Sequence, residues 1–144
     1  MVTNVAEESI HTLYIRKEIE IAAPIEIAFE ALLAELGPEG EMPGGRWFRD
    51  LGNNSGHYWG HVQVIKPPKL LEICGPLFMS YPAVSHVQYR LAGENGGTRV
   101  TLSHRALGLI TDEHREGVLE GWSHGLNRIR EIAERRASSS DKIR

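Results

Sequence analysis

The stretch 111-TDEHREGVLEGWSHGLNRIREIAERR-136 predicts the longest helix of the chain and decides how the rest of it folds. Thr111 is a suitable N-cap, Asp112 and Glu113 follow in the first turn, and arginines occupy the last turn, where their charges favour the helix dipole. The apolar residues at helical spacing form one stripe: Val118, Trp122, Leu126, Ile129 and Ala133. We therefore expect this helix to cover an apolar surface elsewhere in the chain.

Three glycines interrupt the same helix at every fourth residue, namely Gly117, Gly121 and Gly125. Each glycine inside a helix costs roughly 1 kcal/mol relative to alanine. The missing side chains predict either close approach of another backbone or space for a ligand.

The chain begins with one strand and one helix. Alternating, isoleucine-rich residues over 10–22 predict the strand, and residues 23–36 predict the helix. Pro24 suits the first helical position, and Gly37-Pro38 ends the helix.

The middle of the chain has an apolar period of two and predicts five strands. After a loop at 37–45, these strands cover 46–51, 57–65, 69–75, 84–91 and 98–107. Short breaks, including an Asn95-Gly96 turn, indicate antiparallel connections.

This order of elements predicts an α+β fold with a curved antiparallel sheet wrapped around the C-terminal helix. An antiparallel sheet with one solvated face must cover its other face, and the long helix is the largest cover available. We expect a cavity between sheet and helix, and a single domain over 1–144 with its core at about 10–136 and a disordered tail at 137–144.

Composition excludes several classes of function. The 144 residues include 41% hydrophobic and 24% charged residues with a net charge of −3, so we expect no nucleic-acid partner. No apolar run approaches the roughly 20 residues of a membrane span, and the N-terminus lacks a signal pattern. With Cys74 as the one cysteine, we expect no internal disulfide and a cytoplasmic location. The sequence contains no P-loop or dinucleotide fingerprint, and we expect no cofactor.

Four groups of residues, in order, carry a resemblance to a known family. They are Ala23, Pro24, Glu26, Phe29, Ala31 and Leu32; Gly60, Val62, Pro67, Pro68 and Leu71; Thr98, Val100, Thr101, Leu102 and His104; and Gly121, Trp122, Leu126 and Ile129. Over roughly residues 10–135 the chain resembles the START-like superfamily (SRPBCC, the helix-grip fold), in particular the branch of activators of the heat-shock chaperone ATPase. The resemblance implies a hydrophobic ligand cavity, which some relatives use to cyclise or aromatise polyketides and others to bind lipophilic molecules.

The chain departs from the family pattern at two places. Relatives often carry a tryptophan-containing segment after the first helix, where this chain has 37-GPEGEMPGG-45. The eukaryotic co-chaperones carry an additional N-terminal domain, for which we expect this chain to have no room.

Alternation predicts which side chains of residues 57–65 face the core. Val62 and Val64 point inward and share their face with Tyr58 and Gly60, whereas His57, Trp59, His61 and Gln63 point outward. A bulge at Gly60 would reverse the upper half of the strand and turn His61 inward.

The same alternation applies to the later strands. Predicted inward residues are Leu71, Ile73, Val87, Tyr89, Leu91, Val100, Leu102, His104 and Ala106, and predicted outward ones are His86, Gln88, Arg90, Arg99 and Arg105. His104 then lies in the cavity wall, with Tyr58 and Tyr89 as candidate hydrogen-bond partners.

We therefore predict that a small lipophilic molecule binds beneath Trp122, with His104 and Tyr58 orienting its polar group. The predicted cavity walls are Trp47, Tyr58, Val62, Ile73, Phe78, Tyr89, Leu102, His104, Trp122 and Leu126. Three of them, Trp47, Phe78 and Trp122, fit a ligand-stacking set and a plain core equally well.

Two other functions stay open. The first is a cofactor-free cyclase or aromatase with His104 as acid–base group and Tyr58 as its partner; a core histidine with two hydrogen bonds is the alternative for His104. The second is a module that binds a heat-shock chaperone and regulates its ATPase.

Two surface features complete the analysis. His57 and His61 are four residues apart in a strand, about 13 Å, too far to ligate one ion, and so we predict no metal site there or with His86. Trp59 and Ile65 on the outer face form either a homodimer patch or a singly exposed aromatic.

Overall fold

The computed structural model describes residues 4–37, 43–77 and 82–143, with side chains at all of these except 47–50 and 140–143. The elements in chain order are β1 (His11–Ile21), α1 (Ile25–Leu36), β2 (Arg46–Gly52), β3 (Ser55–Lys66), β4 (Leu70–Gly75), β5 (Ala83–Glu94), β6 (Gly97–Gly108) and α2 (Asp112–Ile143). The predicted order of strand, helix, five strands and long helix is confirmed.

The six strands form one antiparallel sheet in the order β1-β6-β5-β4-β3-β2. The β5–β6 hairpin turns at Asn95-Gly96, where both residues have positive φ as a tight turn requires. The β2–β3 hairpin turns at Asn53 and Asn54 in the same way.

One face of the sheet, the apolar stripe of α2 and the buried side of α1 form the core, which confirms the α+β fold. The inward residues predicted on β4, β5 and β6 are all buried, as are the five stripe residues of α2. The outward residues of these strands are exposed or half-buried. The α2 helix continues to Ile143, past the predicted end at Arg136, because the segment 137–143 contains neither glycine nor proline to stop it.

The first helix begins at Ile25, one residue after Pro24, which the sequence predicts as its first helical position. Pro24 is its N-cap, with extended backbone, and its carbonyl accepts a hydrogen bond from the Ala28 amide. The helix ends at Gly37, whose positive φ and amide bond to the Leu33 carbonyl close the last turn.

Two irregularities in β3 change which residues face the core. Tyr58 pairs with Phe48 and Gly60 with Trp47, so Trp59 is an extra residue between them. Val62 pairs with Ile73 and Val64 with Glu72, so Gln63 is a second extra residue.

These irregularities correct the faces predicted for β3. Trp59 and Ile65 pack against the core instead of forming an outer patch. Tyr58 lies outside with His61, instead of inside with Val62. His61 stays exposed on the outer face, as simple alternation predicted, because the two irregularities lie on either side of it.

At Gly60 the backbones of β3 and β4 approach so closely that no side chain would fit between them. A Cβ atom added at Gly60 would lie 2.6 Å from the carbonyl oxygen of Cys74, and one added at Gly75 would lie 2.5 Å from the Cα of Gly60. The backbones of the two glycines therefore fill the space that a side chain would need.

Candidate functional site

Most residues predicted to line an internal cavity are packed core. Each of the following is at most 2% exposed: Val62, Ile73, Tyr89, Leu102, His104, Trp122 and Leu126. Tyr58 lies on the opposite face of the sheet. The side chain of Trp47 and the whole of Phe78 lie outside the described residues.

Ser85, His104 and Trp122 form a buried chain of hydrogen bonds between sheet and helix. The indole Nε1–H of Trp122 donates to His104 Nδ1 at 2.8 Å, and His104 Nε2 lies 2.9 Å from Ser85 Oγ. An indole N–H can only donate, so Nδ1 is the acceptor and the ring proton is on Nε2, which donates to Ser85. The partners of His104 are therefore Ser85 and Trp122 rather than the predicted Tyr58 and Tyr89.

This arrangement keeps His104 neutral. Burial lowers the pKa of His104 to about 4. A second proton on Nδ1 would also face the indole N–H. Both ring nitrogens are already occupied, which is the arrangement of a core histidine with two hydrogen bonds.

Tyr89 packs against Trp122 in the same buried region. Its ring meets the Trp122 ring edge-on at a centroid separation of 6.2 Å, and burial raises the pKa of its phenol. Tyr89 is thus a neutral packing residue.

An open groove of about 820 Å³ lies on the outer face of the sheet, opposite α2. Its lining residues come from five strands: Thr12, Leu13, Tyr14, Tyr58, His61, Cys74, Gly75, Val84, Ser85, His86, Arg105, Ala106 and Leu107. We call it the outer groove. Among its lining residues Leu13, Ser85 and Ala106 are buried, whereas His104 and Trp122 do not line it.

The strand register explains the shape of the outer groove. One wall is a cross-strand row of outward residues: Tyr14, Arg105, His86, Cys74 and His61. The other wall is the row Thr12, Leu107 and Val84. The row between them, Leu13, Ala106, Ser85 and Gly75, points inward, so its backbone forms the floor.

The outer groove exposes much apolar surface. Val84 is 61% exposed, Tyr14 53%, Leu107 50% and Tyr58 36%. These four are half of the eight large hydrophobic residues exposed in the described part of the chain. Contiguous apolar surface of this kind marks a binding site more often than scattered exposed residues do.

Polar side chains are held in place along the first wall. The Arg105 guanidinium lies 4.3 Å from the centroid of the Tyr14 ring, and Tyr58 Oη is hydrogen-bonded to His61 Nδ1. The Cys74 thiol donates to Gln63 Oε1 at 2.9 Å. His86 Nε2 lies 3.3 Å from Oε2 of Glu72, a residue that does not line the outer groove.

Electrostatics keep the Tyr58 phenol and the Cys74 thiol neutral. Partial burial raises the pKa of Tyr58, which the charge of Arg46 partly offsets. Burial, and then the charge of Glu72, raise the pKa of the Cys74 thiol. A hydrogen bond from Gln88 is the main reason why the pKa of Glu72 is lowered. Arg105 is then the permanent charge in the lining.

The described residues contain neither a cluster of metal ligands nor a helix that could span a membrane. Within 4–37, 43–77 and 82–143, no three His, Cys, Asp or Glu side chains cluster as metal ligands would. No helix in those ranges is both long and apolar enough to cross a bilayer.

Two features of the site were missed from the sequence. Ser85 shares the predicted inward face of Val87 and Tyr89, so alternation contained the signal for it. The outer groove depends on the alignment of five strands, and no single segment signals it.

Comparison with known proteins identifies the fold and the family. An uncharacterized protein from Rhizobium leguminosarum has a similar structure, with a TM-score of 0.70, 20% identity, and coverage of 90% of this chain and 99% of that one. An AHSA1-like protein from Rhizobium etli gives a TM-score of 0.57 at 24% identity, covering 86% and 83%. DynU16, from the dynemicin biosynthetic locus, gives 0.65 at 17% identity, covering 84% and 47%.

The sequence profile of one family spans most of the chain. No curated protein matches the chain. The profile described as "Activator of Hsp90 ATPase homolog 1-like protein" matches residues 23–134, from the start of α1 to the last turns of α2. The chain therefore belongs to the Activator of Hsp90 ATPase homolog 1-like family, whose START-type helix-grip fold it shares.

Proposed function

We propose that this protein binds a small, mostly apolar molecule in the outer groove. The observation that carries the proposal is the groove of about 820 Å³ lined by exposed apolar side chains. Small-molecule sites are typically concave, largely apolar and roughly 300–1,000 Å³ in volume, with a few fixed polar groups. Covering Val84, Leu107 and Tyr58 would remove apolar surface from water and so favour binding.

The proposal keeps the predicted class of ligand but changes its place. A ligand beneath Trp122 would have to displace side chains that are at most 2% exposed, and to break the hydrogen bonds of His104. Breaking buried hydrogen bonds without replacement costs about 1–3 kcal/mol for each group left unpaired. The outer groove is already open.

The experiment is a binding titration with N-phenyl-1-naphthylamine, a neutral probe that fluoresces in apolar surroundings. Leu107→Gln makes the groove wall more polar, and Leu119→Gln is its matched control, because Leu119 is 46% exposed on α2 and outside the groove. We expect Leu107→Gln to weaken binding about fivefold, the loss of roughly 1 kcal/mol of apolar contact. Leu119→Gln should leave affinity unchanged. Absence of binding to the wild type, or equal loss in both variants, would contradict the proposal.

A second candidate is proton-transfer chemistry of the cyclase or aromatase kind. The Tyr58–His61 pair favours it, because these two hydrogen-bonded groups line the outer groove whereas His104 is enclosed. For a molecule that the groove binds, Tyr58→Phe should reduce turnover while the Kd stays the same. Unchanged turnover in Tyr58→Phe would remove this candidate.

A further inference from the structure

Arg105 differs from Arg16 and Arg99 of the same sheet in having no ion pair with a carboxylate in the described part of the chain. Arg16 bonds to Glu18 at 2.7 Å, and Arg99 bonds to Glu20 at 3.1 Å and Glu94 at 3.0 Å. Arg105 instead lies over the face of the Tyr14 ring at 4.3 Å. An arginine stacked in this way keeps its outward N–H donors available for an anion.

The surroundings of Arg105 are apolar on one side and polar on the other. Leu107 and Val84 form the opposite wall of the outer groove, and His86 is the cross-strand neighbour of Arg105 on β5. No carboxylate belongs to the described lining. Glu72, which contacts His86 of this wall at 3.3 Å, is also engaged by Gln88 at 2.8 Å.

Such a groove complements one kind of molecule. A permanent cation with unused donors attracts an anionic group, and charge-assisted hydrogen bonds from arginine favour carboxylates and similar anions. The exposed apolar wall opposite favours a hydrocarbon or aromatic body. The two requirements are met together by an amphipathic molecule with a single negative charge.

We infer that the outer groove binds an apolar molecule carrying one carboxylate or comparable anionic group, with the anion on Arg105 and the apolar body against Val84 and Leu107. This inference rests on the proposed function and adds the chemical class of the ligand. Arg105 is the residue that distinguishes an anionic ligand from its neutral analogue.

The test compares two probes that differ by one anionic group. N-phenyl-1-naphthylamine is neutral, and 8-anilino-1-naphthalenesulfonate has the same ring skeleton with a sulfonate. Both are titrated, at one ionic strength, into the wild type, Arg105→Gln and the control Arg16→Gln, which removes an arginine of the outer face that does not line the groove. Competition with dodecanoate and dodecanol then repeats the comparison for a carboxylate.

We expect Arg105→Gln to weaken binding of the sulfonate probe at least about tenfold and binding of the neutral probe less than about twofold. A loss of this size corresponds to one charge-assisted hydrogen bond. Arg16→Gln should change neither. Arg105→Lys, which keeps the charge, should retain most of the affinity for the sulfonate. Dodecanoate should displace the probes from the wild type better than dodecanol does.

The outcomes separate the two claims. If neither probe binds the wild type, both the proposed function and this inference are wrong. If both probes bind and depend on Leu107, but Arg105→Gln affects them equally or not at all, the anion site is wrong and the apolar groove stands. If Arg16→Gln loses as much affinity for the sulfonate probe as Arg105→Gln does, the anion site is also wrong, because general surface charge would then explain the binding.

Discussion

Lowering the pH from 7 to 5 should destabilise this protein through His104. The unfolded chain has an ordinary histidine pKa of about 6.5, whereas burial lowers the folded pKa to about 4. Between these two values the unfolded state binds a proton that the folded state does not bind. The free energy of unfolding therefore falls as the pH falls, by about 1.4 kcal/mol per pH unit.

The size of the effect follows from the two pKa values. Over the whole interval from 6.5 to 4 the loss approaches about 3 kcal/mol, and between pH 7 and pH 5 it is about 2 kcal/mol. The structural cause is that Nδ1 accepts from Trp122 Nε1 at 2.8 Å, so the charged ring would lose this bond while remaining buried.

The assay is urea unfolding followed by far-UV circular dichroism at pH 7 and pH 5, for the wild type and His104→Gln. The variant cannot titrate at this position, and all other groups contribute equally to both proteins. We expect the wild type to lose about 2 kcal/mol more than the variant over this interval. At pH 7 the variant should itself be about 1–3 kcal/mol less stable, because buried partners of the ring lose their bonds. Equal losses of stability in the two proteins would contradict the conclusion that His104 is neutral and hydrogen-bonded at both ring nitrogens.

Further predictions concern stability and are measured by the same urea unfolding at pH 7. Trp122→Phe should cost about 1–3 kcal/mol, and in combination with His104→Gln it should cost less than the sum, because the two residues share one hydrogen bond; full additivity would show that the bond contributes nothing. Gly60→Ala should cost about 1–3 kcal/mol, since its Cβ would lie 2.6 Å from Cys74 O, and unchanged stability would mean that the β3–β4 approach relaxes freely. Gly117→Ala and Gly125→Ala should each stabilise the protein by up to about 1 kcal/mol, because an added Cβ meets nothing within 4 Å at either position; a loss at Gly125 would point to a partner that occupies this space.

The reach of sequence reasoning is clearest where structure is local and periodic. Periods of two and 3.6 predicted the positions of β4, β5 and β6, their inward faces and the apolar stripe of α2. The burial of His104 followed in the same way, because it alternates with Leu102 and Ala106. Periodicity fails where the chain is irregular, and the extra residues Trp59 and Gln63 in β3 were therefore enough to reverse the faces of Tyr58 and Ile65.

The amino-acid sequence by itself determined the order of elements, the family and most of the core. Local periods fix the regular strands, the helices and their inward faces, and the family follows from four groups of residues in a fixed order along the chain. Only the tertiary structure decided the rest. The partners of His104 come from β5 and α2, and the outer groove takes its walls from β1, β6, β5, β4 and β3. Which residues meet across strands depends on register, and register is set by long-range packing and by bulges that no local pattern specifies.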